Sequence, residues 1–213
     1  MKLLAEINKL LQLFKTSSDV NTFKNILVVS NTGLGDTLLT TPAIVSLRKN
    51  FPELHITFMI NKKLFPLFKG FDFVDGYVLY SSGLFSQLKI IFKLRRRKID
   101  TIFLFHSNGP EDIFFSVLSG AMNILKTTDN LNHKYKKLFL NSPNKELKHN
   151  IDKKLDLVRI FKPKKIYYEM QIPWYDNEID NYLEKNKHYI YIGIQLGAQD
   201  LYKMWPVDNF IYL

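Results

Sequence analysis

The segment that most constrains this chain runs from Asn25 to Asp36. Asn25-Ile26-Leu27-Val28-Val29-Ser30 is short, β-branched and unbroken in its apolarity, the pattern of a strand buried on both faces. It passes almost directly into Gly33-Leu34-Gly35-Asp36, which opens a helical stretch carrying Ile44 and Leu47 and ending near Arg48-Lys49-Asn50, where cations suit a helix C-terminus. A strand hidden on both sides needs helices on both sides, so a parallel sheet is expected around it. The chain then repeats the alternation. Residues 55–60, 77–80, 100–105 and 123–125 read as strands, and residues 84–97 and 111–118 as helices. The expected fold class is α/β, a Rossmann-like doubly wound parallel sheet.

The pattern changes between residues 162 and 174, where Pro163 and Pro173 frame a polar connection. A short helix over 177–184 leads to a new apolar run, Tyr189-Ile190-Tyr191-Ile192-Gly193-Ile194, read as a buried strand. The turn Leu196-Gly197-Ala198-Gln199 follows, and Pro206 is placed to open the next helix. One strand and part of a helix cannot close a doubly wound core. The expectation is therefore two domains, 1–174 and 175–213, the second an incomplete Rossmann-like unit.

The net charge of +10 favours anionic partners: nucleic acid, phosphorylated substrates or an acidic membrane face. Nucleic acid is the least attractive of these, because no helix-turn-helix, zinc-finger or RNP-like signature is present. The absence of cysteine excludes a disulfide framework, a thiol nucleophile and a cysteine-based zinc site. It fits a reducing compartment. No stretch approaches the ~18 apolar residues of a membrane span. At the N-terminus, Glu6, Asn8 and Lys9 interrupt the apolar run that a signal peptide needs. Leu3, Ile7, Leu10 and Phe14 share one helical face, suited first to packing on the domain and second to lying on a membrane.

Ligands of open α/β sheets bind at the carboxyl ends of the strands, which directs attention to the loop after the first strand. Gly33 and Gly35 permit unusual backbone angles and close approach of a ligand to the main chain. The loop lacks the Lys-Ser/Thr ending of a phosphate-binding Walker loop, and Leu38 occupies the third position of a G-x-G-x-x-G fingerprint. Asp36 has two readings of equal weight, a helix N-cap or a general base for a substrate hydroxyl. Thr41-Pro42 offers the helix a second start.

Gly35-Asp36-Thr37-Leu38-Leu39-Thr40-Thr41-Pro42, with Leu47 and Pro52 ahead of the next strand, resembles the N-terminal motif of the lipopolysaccharide heptosyltransferases, glycosyltransferase family 9 of GT-B fold. A second stretch, Gly193-Ile194, Gly197-Ala198 and Lys203-Met204-Trp205-Pro206 with Asp208, Phe210 and Leu213, resembles the opening of that family's C-terminal domain. Gln199 stands where the family usually has serine. Between the two, His149 and the helix after it occupy a familiar place.

The resemblance implies inverting transfer of a sugar, heptose from ADP-heptose or another nucleotide-sugar, to a lipopolysaccharide inner-core or related glycan. Asp36 would be the general base. Gly33, Gly35, Thr41, His106 and Asn108 would bind the acceptor, and Gly197, Ala198, Gln199 and Lys203 the donor. Lys203 would meet the departing diphosphate. The same resemblance implies no metal and no cofactor beyond the donor, an anionic glycolipid acceptor, and a cytoplasmic protein peripheral on the inner face of the membrane. Trp205 is assigned to core packing; the basic run Leu94-Arg95-Arg96-Arg97-Lys98 could attract phosphorylated lipid, with a solvated helix end as the default reading. The chain alone is expected to have little transferase activity. The competing class is a non-catalytic relative that binds acidic glycolipid.

Overall fold

A computed structural model describes residues 23–106, 111–127, 139–140, 148–173, 177–194, 197–198 and 201–211. The N-terminal amphipathic stretch, Asn108 and Gln199 lie outside the described residues. The chain divides into two compact units, Met1–Trp174 and Tyr175–Leu213.

In the first unit, β1 (Asn25–Ser30) is followed by the short helix α1 (Leu34–Leu38) and by α2 (Thr41–Asn50). Next come β2 (His55–Asn61), α3 (Phe65–Phe68), β3 (Gly76–Tyr80), α4 (Leu84–Arg96) and β4 (Thr101–His106). The unit continues with α5 (Glu111–Leu118), β5 (Asn123–Lys126) and α6 (Asn150–Arg159). The strands form one five-stranded sheet in the order β3-β2-β1-β4-β5, and every pairing is parallel. The chain steps outward from β1 to β2 and β3, then crosses back to place β4 on the other side of β1. The switch point of the topology is therefore the crevice between β1 and β4.

Alternation along the strands divides the core. Ile26 and Val28 of β1 join Phe58, Ile60, Phe103 and Phe105 on one face, under Ile44 and Leu47 of α2 and Leu155 and Val158 of α6. Leu27 and Val29 join Met59, Ile102 and Leu104 on the other, under Ile90, Ile91 and Leu94 of α4 and Phe115 of α5. A central strand buried on both faces is what its unbroken apolar run demands.

Side chains tie the amino edge of the sheet. Asp100 Oδ2 accepts the backbone N–H groups of Lys24 and Asn25 at 2.9 and 2.8 Å. Arg48, at the far end of α2, donates to the carbonyls of Phe73, Pro52 and Leu54 and pairs with Asp75. Asp75 in turn accepts the N–H of Ile56. The loops entering β1, β2, β3 and β4 are thus held by carboxylates and one guanidinium.

The second unit holds α7 (Asn177–Lys185), a 3₁₀ turn over Leu201–Lys203 and α8 (Val207–Phe210), with Pro206 at the N-cap of α8. One sequence expectation is corrected here. Residues 189–194 are not a buried strand: Ile190 and Ile192 are 94% and 83% exposed, and no ladder forms along them among the described residues. An apolar β-branched run records a propensity, and it becomes a strand only beside a neighbour that accepts its hydrogen bonds. Trp205 is likewise exposed, resting edge-on against Phe210 with ring centroids 4.7 Å apart.

Candidate active site

The carboxyl ends of β1 and β4 bring Asp36 and His106 together. β4 ends at His106, and its Nε2 lies 3.3 Å from Asp36 Oδ2. Thr32, just past β1, donates its hydroxyl to the same oxygen at 3.0 Å. Asp36 Oδ1 has no hydrogen-bond partner among the described residues, and the side chain is 30% exposed. One carboxylate oxygen is anchored, and the side chain as a whole stays partly open to solvent.

The cap reading of Asp36 does not hold. The N-cap of α1 is Gly33, with φ −81° and ψ 169°, and Asp36 lies inside the first turn. There the helix dipole favours its negative charge without using its side chain as a cap. Thr37 secures the turn, donating both its N–H and its hydroxyl to the Gly33 carbonyl at 3.1 and 2.9 Å. Helix α2 starts separately: Thr40 is its N-cap, Thr41 its first residue, and Pro42 follows.

The backbone freedom expected of the two loop glycines is not used. Neither Gly33 nor Gly35 has a positive φ, and a Cβ added at either would meet nothing within 4 Å. The fold itself does not require glycine there, and open space adjoins both. Gly35→Ala is therefore expected to leave the fold intact or stabilise it by about 0.5 kcal/mol through helix propensity. If a ligand approaches this main chain, the same change raises KM, which steady-state kinetics beside a thermal melt would separate.

Beneath Asp36 lies a lysine that the sequence reading missed. Lys154 of α6 is 1% exposed, and its Nζ donates to the Asp36 carbonyl at 3.5 Å. The same carbonyl accepts the Thr40 hydroxyl at 2.9 Å. Burial lowers the Lys154 pKa from 10.5 to about 8, with the nearby Asp36 charge acting in the opposite direction. A second buried lysine, Lys126 at the end of β5, is also pushed down by burial and drawn up by Asp112. Asp112 is buried too and accepts a hydrogen bond from Asn31 Nδ2 at 2.9 Å. The switch point thus gathers two carboxylates, two buried ammonium groups and an imidazole.

Burial lowers the His106 pKa; Asp36 opposes this, while Lys154 and Lys126 reinforce it. Below the ordinary value of 6.5 the unfolded chain takes up this proton more readily than the folded one, so stability is lost as pH falls through 6.5 toward the folded value. His106→Gln is expected to flatten that part of the profile, measured as the wild-type-minus-variant urea midpoint between pH 7 and pH 5. A difference that does not change with pH would refute the assignment.

The other sequence-predicted residues are placed differently. Thr41 is fully buried; its hydroxyl donates to the Leu38 carbonyl at 2.8 Å and accepts the Gln171 N–H at 2.9 Å. Both bonds are internal, a structural placement. His149 is the N-cap of α6, its Nδ1 accepting the Ile151 N–H at 3.3 Å. Gly197, Ala198 and Lys203 belong to the second unit and are exposed, with Lys203 Nζ 5.2 Å from the centre of the Tyr202 ring. Lys154 left a legible trace: it falls on the helical face of Ile151, Leu155 and Val158, where a lysine is out of place.

A five-stranded parallel sheet whose strand order reverses at β1, with a polar cluster at that switch point, defines a Rossmann-like domain. Its fold is that of glycosyltransferase family 9 structures. The enzyme of that family from Veillonella parvula superposes with a TM-score of 0.74 and 18% identity, over 89% of this chain and 58% of that one. The ADP-heptose lipopolysaccharide heptosyltransferase II of E. coli gives 0.53 and 13%, over 78% and 50%. The E. coli heptosyltransferase WaaC, solved with ADP-2-deoxy-2-fluoro heptose, gives 0.52 and 12%, over 85% and 62%. The chain therefore spans between half and two thirds of the length of these structures. No family model and no curated protein matches it.

Proposed function

We propose that this chain is the acceptor-side domain, residues 1–174, and the start of the donor-side domain, residues 175–213, of an inverting glycosyltransferase of the family 9 type. The observation that carries this reading is the partly exposed Asp36 carboxylate at the β1/β4 crevice, anchored through Oδ2 by Thr32 and facing His106. Such a carboxylate suits one task above others: accepting a proton from a hydroxyl group as that oxygen becomes a nucleophile. The acceptor oxygen forms its bond to the anomeric carbon while the bond to the nucleotide diphosphate breaks on the opposite face. Charge on the sugar is oxocarbenium-like at that moment. The proton passes to Asp36, and the electron pair leaves with the diphosphate, which Lys203 neutralises.

The donor in this reading is a nucleotide-sugar, ADP-heptose first, and the acceptor an anionic inner-core glycolipid. His106 orients Asp36, and the open main chain at Gly33 and Gly35 lies against a substrate. The protein acts on the cytoplasmic side of the inner membrane; no helix among the described residues is long and apolar enough to cross it. The test is a transfer assay on the protein with a complete donor-side domain, using ADP-heptose and a panel of other nucleotide-sugars, read by mass spectrometry, with Asp36→Asn as the control. Product formed equally well by Asp36→Asn, or none with any donor, would reject the reading. A non-catalytic glycolipid-binding relative would give the second result with acceptor binding retained.

A further inference from the structure

Helix α4 has two apolar faces, and only one of them is used by the core. Ile90, Ile91 and Leu94 are buried beneath the sheet. On the opposite side Phe85, Leu88 and Phe92 are 84%, 49% and 66% exposed. At 100° per residue these three fall within an arc of about 60°, so they form one stripe along the helix. Exposed singly, such residues are ordinary; aligned on one helix opposite the core, they form a surface.

The charge around the stripe is of one sign. From Tyr77 to Ile99 the chain contains no Asp or Glu, while Lys89, Lys93, Arg95, Arg96, Arg97 and Lys98 are all cationic. Lys93 donates to the Tyr77 carbonyl, Arg95 to that of Leu118, and Arg97 to the Thr57 hydroxyl. Lys89 and Arg96 project on the same side as the stripe and are exposed. Large apolar side chains flanked by cations, in a stretch of chain without acids, match the boundary of an anionic bilayer. Rings enter between headgroups while ammonium and guanidinium groups meet lipid phosphates. A second copy of this chain would oppose like charges, which disfavours self-association through this face.

We infer that the outer face of α4 docks this protein on an anionic lipid surface through Phe85, Leu88 and Phe92. The proposal names the surface for the membrane partner of the function given above, and it rests on that reading only for its purpose. Because all strands are parallel, α4 leaves β3 at the sheet edge where Asp36 lies. Phe85 and Leu88 occupy its first turns, so docking would bring that edge close to the headgroups, where a lipid-anchored acceptor is found.

Vesicle co-sedimentation of the native protein tests this without turnover. Vesicles of phosphatidylcholine with about 30% phosphatidylglycerol should bind at least about tenfold more protein than pure phosphatidylcholine, with the excess lost at high salt. Phe85→Ser with Phe92→Ser, and separately Lys89→Gln with Arg96→Gln, should each lower binding to the anionic vesicles at least fivefold. Thermal melts unchanged from wild type would verify the fold, and the polar pair serves if the aromatic pair is destabilised. The N-terminal segment is present in every variant, so unchanged vesicle binding in both would assign adhesion elsewhere and overturn the proposal. Binding equal on both lipids, or a dimer in analytical ultracentrifugation that Phe92→Ser dissolves, would also overturn it. Loss of vesicle binding with transfer to a water-soluble acceptor intact supports docking alone; loss of transfer by Asp36→Asn with vesicle binding intact concerns the proposed reaction alone.

Discussion

Asp36→Asn should lower sugar transfer by about 10²–10⁴-fold, the range expected when a positioned general base is removed. The amide keeps the size of the carboxylate, and its oxygen can still accept the Thr32 hydroxyl, so the thermal midpoint should remain within a few degrees. Both kcat and kcat/KM should fall together, because the proton is taken only as the acceptor oxygen attacks. Acceptor affinity, measured by equilibrium binding, should change little. Asp36→Glu provides a second reading: it restores the charge but displaces the oxygen by about one methylene, and recovery should be partial. Transfer within threefold of wild type in the Asn variant would remove Asp36 from the reaction.

Lys154→Met should make the protein more stable and less active. A pKa held at about 8 instead of 10.5 means that the folded chain disfavours this charge by about 3 kcal/mol at neutral pH. Methionine fills a similar volume with no charge to desolvate, for a gain of about 1–3 kcal/mol and a rise in melting temperature of roughly 3–10 °C. The sign can be checked against pH. The unfolded chain holds the Lys154 proton more tightly than the folded chain, so wild-type stability climbs as pH rises from about 8 to 10.5. The advantage of the Met variant should therefore shrink across that window.

The activity loss has a separate cause. Lys154 faces the backbone of Asp36 and lies close enough to His106 to lower its pKa. A positive charge kept at this cost beneath a partly exposed carboxylate supports function over packing. We expect transfer to fall by about ten- to a hundredfold, as when a preorganised cation is removed from a site of low dielectric. Stability gained with transfer unchanged would reduce Lys154 to an expensive core residue.

What the sequence revealed follows from which physical signals are local. The five strands of the first unit could be read directly, since a buried parallel strand must be apolar throughout and turn residues must separate it from its helices. Asp36 was visible as a residue but ambiguous in role; only the position of Gly33 at the N-cap removed the cap reading, and only the meeting of β1 with β4 gave the carboxylate its histidine neighbour. His106 was placed at the cleft edge because it ends a strand, yet its partner 70 residues earlier is a product of topology. Lys154 was missed because a single lysine on an apolar helical face looks like noise until the helix is seated on the sheet. Residues 189–194 were misread for the converse reason: their pattern is that of a strand, but nothing among the described residues pairs with them.

The two edges of the central sheet have unequal freedom to vary. At the amino edge, Asp100, Arg48 and Asp75 hold four successive strand entrances by direct bonds to the main chain, so a substitution there is felt as loss of the scaffold. At the opposite edge the groups around Asp36 contribute charge that the scaffold would be more stable without. A lineage built on this frame can exchange residues in the loop after β1 without disturbing what keeps the frame folded. Constancy of the architecture and freedom to vary belong to opposite ends of the same five strands.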